Sequence, residues 1–285
     1  MTFEDAGTSG TAPRATTYGI VARDAPTAVV LRRGPTRHVQ LLRWNLRTDA
    51  VEAGQWLVGT VPAGLCGLSP NGELFVYTAR KGPRRYTVAS RPPYFTALAF
   101  WEERLPWSGS GFFAADDRLV LGVLGEPDEG GVPPGLSVED VWNYVPWSGN
   151  GRSRQTFGDA FSDVPEARHG WSRGTGGAEY TKAGPGDGAT RLERYGAIGR
   201  SGGFRVASSS GQRELGVLDW ADWSPDGDLV YGQQGRLLRQ RVPASGAGWP
   251  APTLVADLTG NTFERVIASA QARTWPGYLT RRRRP

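Results

Sequence analysis

Two histidines, His38 and His169, and a single cysteine, Cys66, are all the imidazole and thiol chemistry available to this 285-residue chain. A three-His or Cys/His zinc site is out of reach with that set. Cys66 sits in an apolar context, Gly64-Leu65-Cys66-Gly67-Leu68, which predicts a buried structural thiol rather than a reactive one. No intrachain disulfide can form. His38 falls in a strand-like run and His169 in a loop beside glycine, and both read as structural or solvated. A Ser-His-Asp arrangement is built in space rather than in sequence, and little here argues for one. The glycine clusters Gly174-Thr175-Gly176-Gly177 and Gly184-Pro185-Gly186-Asp187-Gly188 neither follow a clear strand nor open a helix, so they read as loops rather than phosphate cradles. No cofactor and no metal is expected.

Carboxylates come as neighbours in sequence: Glu102-Glu103, Asp116-Asp117 and Glu139-Asp140. A glycosidase needs two carboxyls facing each other across a cleft, and adjacent residues on a strand point to opposite faces. Turn or surface charge is therefore the expected role. Asp222, Asp226 and Asp228 lack the spacing of an EF-hand calcium loop. Among the eleven tryptophans, Trp107, Trp142, Trp147 and Trp171 crowd the middle of the chain. Aromatic side chains on loops can stack on sugars or anchor a protein partner, so these four are the expected binding surface.

The elements that must carry such a surface are marked by turns. Ser69-Pro70-Asn71-Gly72 and Ser224-Pro225-Asp226-Gly227 each precede an apolar strand. Proline sets the entry to the turn, and Asn-Gly or Asp-Gly supplies a positive φ. Pro70, Asn71, Gly72, Pro225, Asp226 and Gly227 are thus structural turn-formers, and these segments are expected to be scaffold, with function elsewhere. Pro106-Trp107-Ser108-Gly109 recurs as Pro146-Trp147-Ser148-Gly149, an offset of 40 residues, which is the size of one propeller blade. Short strand-like runs fill the rest, apart from a weaker stretch between Gly125 and Thr190. Within that stretch Ser137-Val138-Glu139-Asp140 looks like a helix start, and Gly170 to Ala189 reads as irregular. Phe263 to Ala270 reads as a helix or a last strand.

Asp219-Trp220-Ala221-Asp222-Trp223-Ser224-Pro225-Asp226-Gly227-Asp228-Leu229-Val230-Tyr231 resembles the WD40-like (PD40, TolB-type) β-propeller repeat, with Gly67 to Tyr77 a less complete copy. The resemblance implies a β-propeller and, commonly, a binding platform, and it carries no catalytic residues. An independent argument agrees. A four-stranded sheet cannot bury both faces alone, whereas sheets stacked around an axis cover one another.

The expected fold is all-β, a propeller of about five or six blades with an irregular, loop-rich middle. Residues 1–17 read as a disordered leader, 18–278 as one propeller domain and 279–285 as a basic tail. Net charge is +5, of which Arg281, Arg282, Arg283 and Arg284 supply four, so the body carries no strongly basic face. No run reaches the roughly 18 apolar residues of a membrane span, and no signal peptide is seen, so a cytoplasmic protein is expected. The function expected is non-enzymatic recognition or scaffolding of a protein partner through loops at one propeller end. A carbohydrate-binding or glycoside-hydrolysing propeller is the alternative. Nucleic-acid contact through the Arg tail is the weaker one.

Overall fold

From Thr17 to Ile20 four consecutive residues are buried, and from Ala28 to Arg32 five are. A strand buried on both faces needs packed neighbours above and below, and the architecture supplies them. The computed structural model describes residues 15–34, 37–102, 111–122, 131–141, 164, 169–174, 177–186, 190–208, 211–243 and 248–280. Among these residues there are five sheets, met one after another along the chain.

The first sheet is the antiparallel meander β1 (Thr16–Val21), β2 (Thr27–Arg33), β3 (His38–Asn45) and β4 (Val51–Val58). The second is β5 (Gly67–Leu68), β6 (Phe75–Lys81), β7 (Arg84–Ser90) and β8 (Ala97–Glu102). The third has β9 (Gly111–Ala115) antiparallel to β10 (Arg118–Leu121), with β11 (Ser137–Asp140) parallel to β10. The fourth runs β12 (Ser172–Arg173), β13 (Tyr180–Ala183), β14 (Thr190–Tyr195), β15 (Gly202–Ser208) and β16 (Gly211–Leu218). The fifth is β17 (Trp220–Trp223), β18 (Leu229–Gln233), β19 (Arg236–Gln240) and β20 (Thr253–Asp257).

Burial falls from the first strand to the last in every sheet but the fourth, where β12 is exposed and the buried residues lie mostly in β14 and β15. All four residues of β17 are buried, whereas in β20 none is, and β16 is exposed along most of its length. Outside the fourth sheet, first strands therefore lie inside and last strands on the rim. β1 lies against β5 on one side and β17 on the other, β5 against β9, and β16 against β18. Three apolar clusters fill the spaces between sheets. One joins the first, second and fifth sheets around Trp44 and Phe75; one joins the second and third around Trp101 and Phe113; one joins the fourth and fifth around Phe204 and Trp223. This is a β-propeller, in agreement with the sequence expectation.

The junction of first and last sheets is polar as well as apolar. The buried carboxylate of Asp219, just before β17, accepts the backbone N–H of Thr17 at 3.1 Å and that of Gly235 at 3.3 Å. It also accepts the hydroxyls of Thr17 at 3.4 Å and Ser201 at 3.2 Å. Farther out, Arg32 donates to the carbonyls of Leu258 and Thr259, and Arg239 grips both carboxylate oxygens of Asp49. After β20 the chain crosses the neighbouring sheets as a strap. The Asn261 side chain donates to that of Gln40, Gln55 donates to the Val266 carbonyl, and the N–H of Gly135 donates to the Leu279 carbonyl.

Several local expectations change. Ser137 to Asp140 is β11, not a helix start, because pairing with β10 outweighs the capping pattern. Phe263 to Ala270 is neither helix nor strand; the Gln55 side chain of the first sheet holds it by donating to the Val266 carbonyl. The Gly170–Ala189 stretch holds β12 and β13. Thr16 and Thr17, read with the leader, open β1, and Leu279, read with the tail, is buried against the third sheet. The rest of the leader, 1–14, and Arg281 to Arg284 lie outside the described residues.

Removing the Asp219 carboxylate leaves two buried N–H groups without their acceptor, a loss of about 1–3 kcal/mol for each unsatisfied group. Asp219→Ala is expected to lower unfolding stability by about 2–4 kcal/mol in urea titration, while Glu214→Ala on the exposed rim changes it by less than about 0.5 kcal/mol. Equal effects of the two substitutions would show that the junction does not depend on Asp219.

Candidate functional site

The two Ser-Pro-x-Gly turns occupy matching places, each joining the innermost strand of its sheet to the next. In the first, Gly72 has φ +74°, its N–H donates to the Ser69 carbonyl at 2.8 Å, and the Ser69 hydroxyl accepts the Leu74 N–H at 2.9 Å. In the second, Gly227 has φ +86°, its N–H donates to the Ser224 carbonyl at 3.0 Å, and the Ser224 hydroxyl accepts the Asp228 N–H at 3.1 Å. Serine thus closes the turn twice, through its carbonyl and its hydroxyl. Pro70, Ser224 and Pro225 also form part of a cavity wall, so these turns are not only scaffold.

The cavity measures about 390 Å³ and takes residues from all five sheets. Ile20 and Val21 come from β1, Leu68 from β5, Phe113 from β9, Lys182 and Ala183 from β13, and Asp222 and Trp223 from β17. Inner strands of successive sheets can meet at one cavity only around the propeller axis, so this is the axial pocket, at the end where those strands turn outward. Its size falls within the range of small-ligand sites, and its wall is mainly apolar with a few convergent polar groups.

Those polar groups form one network. The Lys182 ammonium lies 2.7 Å from Asp222 Oδ1 and donates at 2.8 Å to the carbonyl of His169. Asp222 Oδ1 also accepts the Trp223 N–H at 2.7 Å. Lys182 and Asp222 are third residues of their strands, 40 positions apart in the chain. Neighbouring strands of two successive sheets, the second of the fourth sheet and the first of the fifth, therefore carry opposite charges. His169 has φ +57°, a conformation turned to by few residues other than glycine and asparagine. Its Nε2 is buried without a hydrogen-bond partner. Burial first, and the Lys182 ammonium second, push the imidazole down to about 3, so the ring is neutral near pH 7. Arg23, from the β1–β2 turn, stands at the mouth. It donates to the Ala114 carbonyl at 3.4 Å and lies 3.5 Å from Asp24, with half of its side chain exposed.

The sequence expectations distribute unevenly. Trp171 is buried at 3% exposure and packs on Phe204, so it is not a surface anchor. Its burial follows from its place beside β12, where it fills the space between the fourth and fifth sheets. Trp107, Trp142 and Trp147 lie outside the described residues. Cys66 is buried, and desolvation pushes its thiol up to about 12, which fits a structural role. His38 packs against Phe263 and Trp56 on the first sheet, away from the pocket. Asp222 is the sole carboxylate among the described residues lining the pocket, so no glycosidase pair is assembled there. Of the neighbouring acids, Asp116 accepts the Asn71 N–H and Glu139 pairs with Arg118. Gly170-Trp171-Ser172-Arg173-Gly174 and Gly199-Arg200-Ser201-Gly202-Gly203 both match the Gly-x-Ser-x-Gly pattern of hydrolases. Neither lies at a strand-to-helix turn, the Ser201 hydroxyl donates to Asp219, and no described hydrogen bond joins either serine to a histidine. No cluster of three metal-ligating side chains occurs among the described residues.

Lys182, Asp222 and Arg23 were not singled out as a site by their sequence. One signal was present: the chain has 31 arginines and only two lysines, Lys81 and Lys182. A compact ammonium in a chain that otherwise uses guanidinium fits a small space where the fork of arginine does not.

The depressed imidazole links stability to pH. A histidine in the unfolded chain takes up a proton near pH 6.5, whereas folded His169 does so only near 3. The unfolded state therefore binds more protons between those values, and stability falls as pH drops through that window, by at most about 1.4 kcal/mol per pH unit. His169→Asn, which keeps the left-handed backbone accessible, is expected to flatten the decline measured by urea unfolding between pH 6 and 4. An unchanged slope would place the imidazole in solvent.

No protein family and no curated protein matches this chain. Solved structures similar to it include TolB from Acinetobacter baumannii, 14% identical over 79% of this chain and 51% of that one, with a TM-score of 0.30. A β-propeller domain from Myceliophteria thermophila is 11% identical over 85% of this chain and 70% of that one, TM-score 0.28. An uncharacterised protein from Listeria monocytogenes is 7% identical over 84% and 66%, TM-score 0.31. The chain spans about half the length of the TolB structure. At such identities and scores the likeness says nothing of function.

Proposed function

We propose that the protein is a non-enzymatic recognition module that binds a protein partner at the propeller end where the inner strands turn outward. The observation that carries this reading is the axial pocket, a cavity of about 390 Å³ to which every sheet contributes. Interfaces gain most of their energy where one buried side chain fills a pocket and flatter contacts around it exclude water. The surrounding turns, Arg23–Pro26, Pro70–Gly72 and Pro225–Gly227, form a rim of the kind such contacts use. Lys182 and Asp222 hold each other, and Asp222 also accepts a backbone N–H. A buried ion pair so arranged fixes shape rather than offering a nucleophile. No helix among the described residues is long and apolar enough to cross a membrane.

Ala183 is exposed and lines the mouth, so Ala183→Trp covers the pocket without entering the core. Affinity capture from the native source, read by quantitative mass spectrometry, is expected to recover a partner with the wild-type chain and about tenfold less with Ala183→Trp, the loss of one anchor contact. Glu214→Trp on the rim strand should capture as the wild type does. Equal recovery by all three chains would remove the pocket from the interface.

A further inference from the structure

The ionisable groups lining the axial pocket are unequal. Two are cations, Arg23 and Lys182, one is an anion, Asp222, and His169 is neutral near pH 7. They are also unequally placed. The Asp222 side chain is 4% exposed and already accepts from Lys182 and from the Trp223 N–H, whereas Lys182 is 20% exposed and Arg23 54%. Arg23 is therefore the most exposed charge lining the pocket, with Asp24 beside it at 3.5 Å. Arg23 is also the lining cation with donors to spare. A guanidinium has five N–H donors, and the contacts of Arg23 within the described chain are a 3.4 Å bond to the Ala114 carbonyl and a 3.5 Å approach to Asp24. Behind it the wall is apolar, with Ile20, Leu68, Phe113 and Trp223. A phosphate or sulfate would leave that wall without a partner, and a plain hydrocarbon would leave the guanidinium without one.

We propose that the group entering the axial pocket is the C-terminal residue of the partner chain, its apolar side chain against the wall and its α-carboxylate on Arg23. This rests on the recognition role proposed above and names the chemistry read there. A chain end joins an apolar side chain and a carboxylate within a few bonds, which matches a pocket with an apolar body and a cationic lip. The fork of arginine donates two parallel N–H bonds to a carboxylate, and an exposed pair of this kind contributes selectivity more than affinity.

The test uses the full chain and three probes: N-acetyl-leucine, N-acetyl-leucine amide and hexanoate. Binding is titrated by NMR, with the Trp223 indole and His169 imidazole signals as reporters. N-acetyl-leucine is expected to bind about fivefold more tightly than its amide, the size of one exposed ion pair. Arg23→Gln should bring the two within about twofold, and Ala183→Trp should weaken both. Equal binding of acid and amide, blocked by Ala183→Trp, would overturn the carboxylate assignment and leave the pocket as a recognition site. A preference that survives Arg23→Gln would overturn the role of that residue. Hexanoate binding more tightly than N-acetyl-leucine would assign the pocket to free aliphatic carboxylates instead of chain ends. Failure of every probe to shift the reporters up to about 20 mM, weaker than the millimolar range expected of a single anchor, would overturn the proposal outright. The capture experiment with Ala183→Trp judges the recognition role separately.

Discussion

The buried carboxylate of Asp219 ties the first strand of the chain to its last sheet, and the axial geometry depends on that tie. A carboxylate taken out of water costs several kcal/mol unless its oxygens are met by donors. Asp219 meets them with the N–H groups of Thr17 and Gly235 and the hydroxyls of Thr17 and Ser201. Those donors come from the first, fourth and fifth sheets, so one residue sets the spacing of three. Under it Trp220 is buried edge-on to Trp44. Room for that indole comes from two glycines. A Cβ on Gly19 would stand 2.3 Å from the Trp220 ring, and one on Gly232 would stand 2.0 Å from the Thr17 hydroxyl. Small residues and a carboxylate thus work together, one admitting the ring and the other holding the strands beside it.

The pocket follows from the same arrangement. Strands that lie side by side around an axis cannot all meet at their ends, and the space left over is lined by whatever each inner strand places there. Lys182 in β13 and Asp222 in β17 close the gap between the fourth and fifth sheets as an ion pair. The turns that send the inner strands outward then become the rim. A motif whose residues are chosen for backbone conformation thereby also supplies Pro70, Ser224 and Pro225 to the pocket wall. Scaffold and site are the same atoms at that end of the molecule.

Much of the fold was legible because its signals are local. A proline followed by Asn-Gly or Asp-Gly dictates a turn wherever it occurs, and the glycines do adopt positive φ. Runs such as Ala28 to Leu31 announced buried strands. Signals failed where a neighbour distant in sequence decides the conformation. Ser137 to Asp140 has the composition of a helix start, yet the unpaired edge of β10 takes it as a strand. Phe263 to Ala270 has helical spacing, yet the Gln55 side chain of the first sheet donates to its Val266 carbonyl and His38 and Trp56 pack on Phe263, holding it as a strap. The site was less legible. Tryptophan abundance pointed to a surface, but Trp171 serves the core because the fourth and fifth sheets leave a ring-sized space beside β12.

By itself the sequence determined an all-β chain built from repeated hairpins, the places where those hairpins turn, and a poverty of histidine and cysteine that puts a three-His or Cys/His zinc site out of reach. These depend on backbone preference and composition, which do not need a partner to act. Only the tertiary structure decided that Lys182 and Asp222 face each other, that the Nε2 of His169 is buried in the pocket wall, and that Arg23 is held loosely at the mouth of an apolar cavity. Those properties are relations between strands of different sheets. Their strength depends on distance and on the exclusion of solvent, neither of which exists until the sheets are packed around their axis.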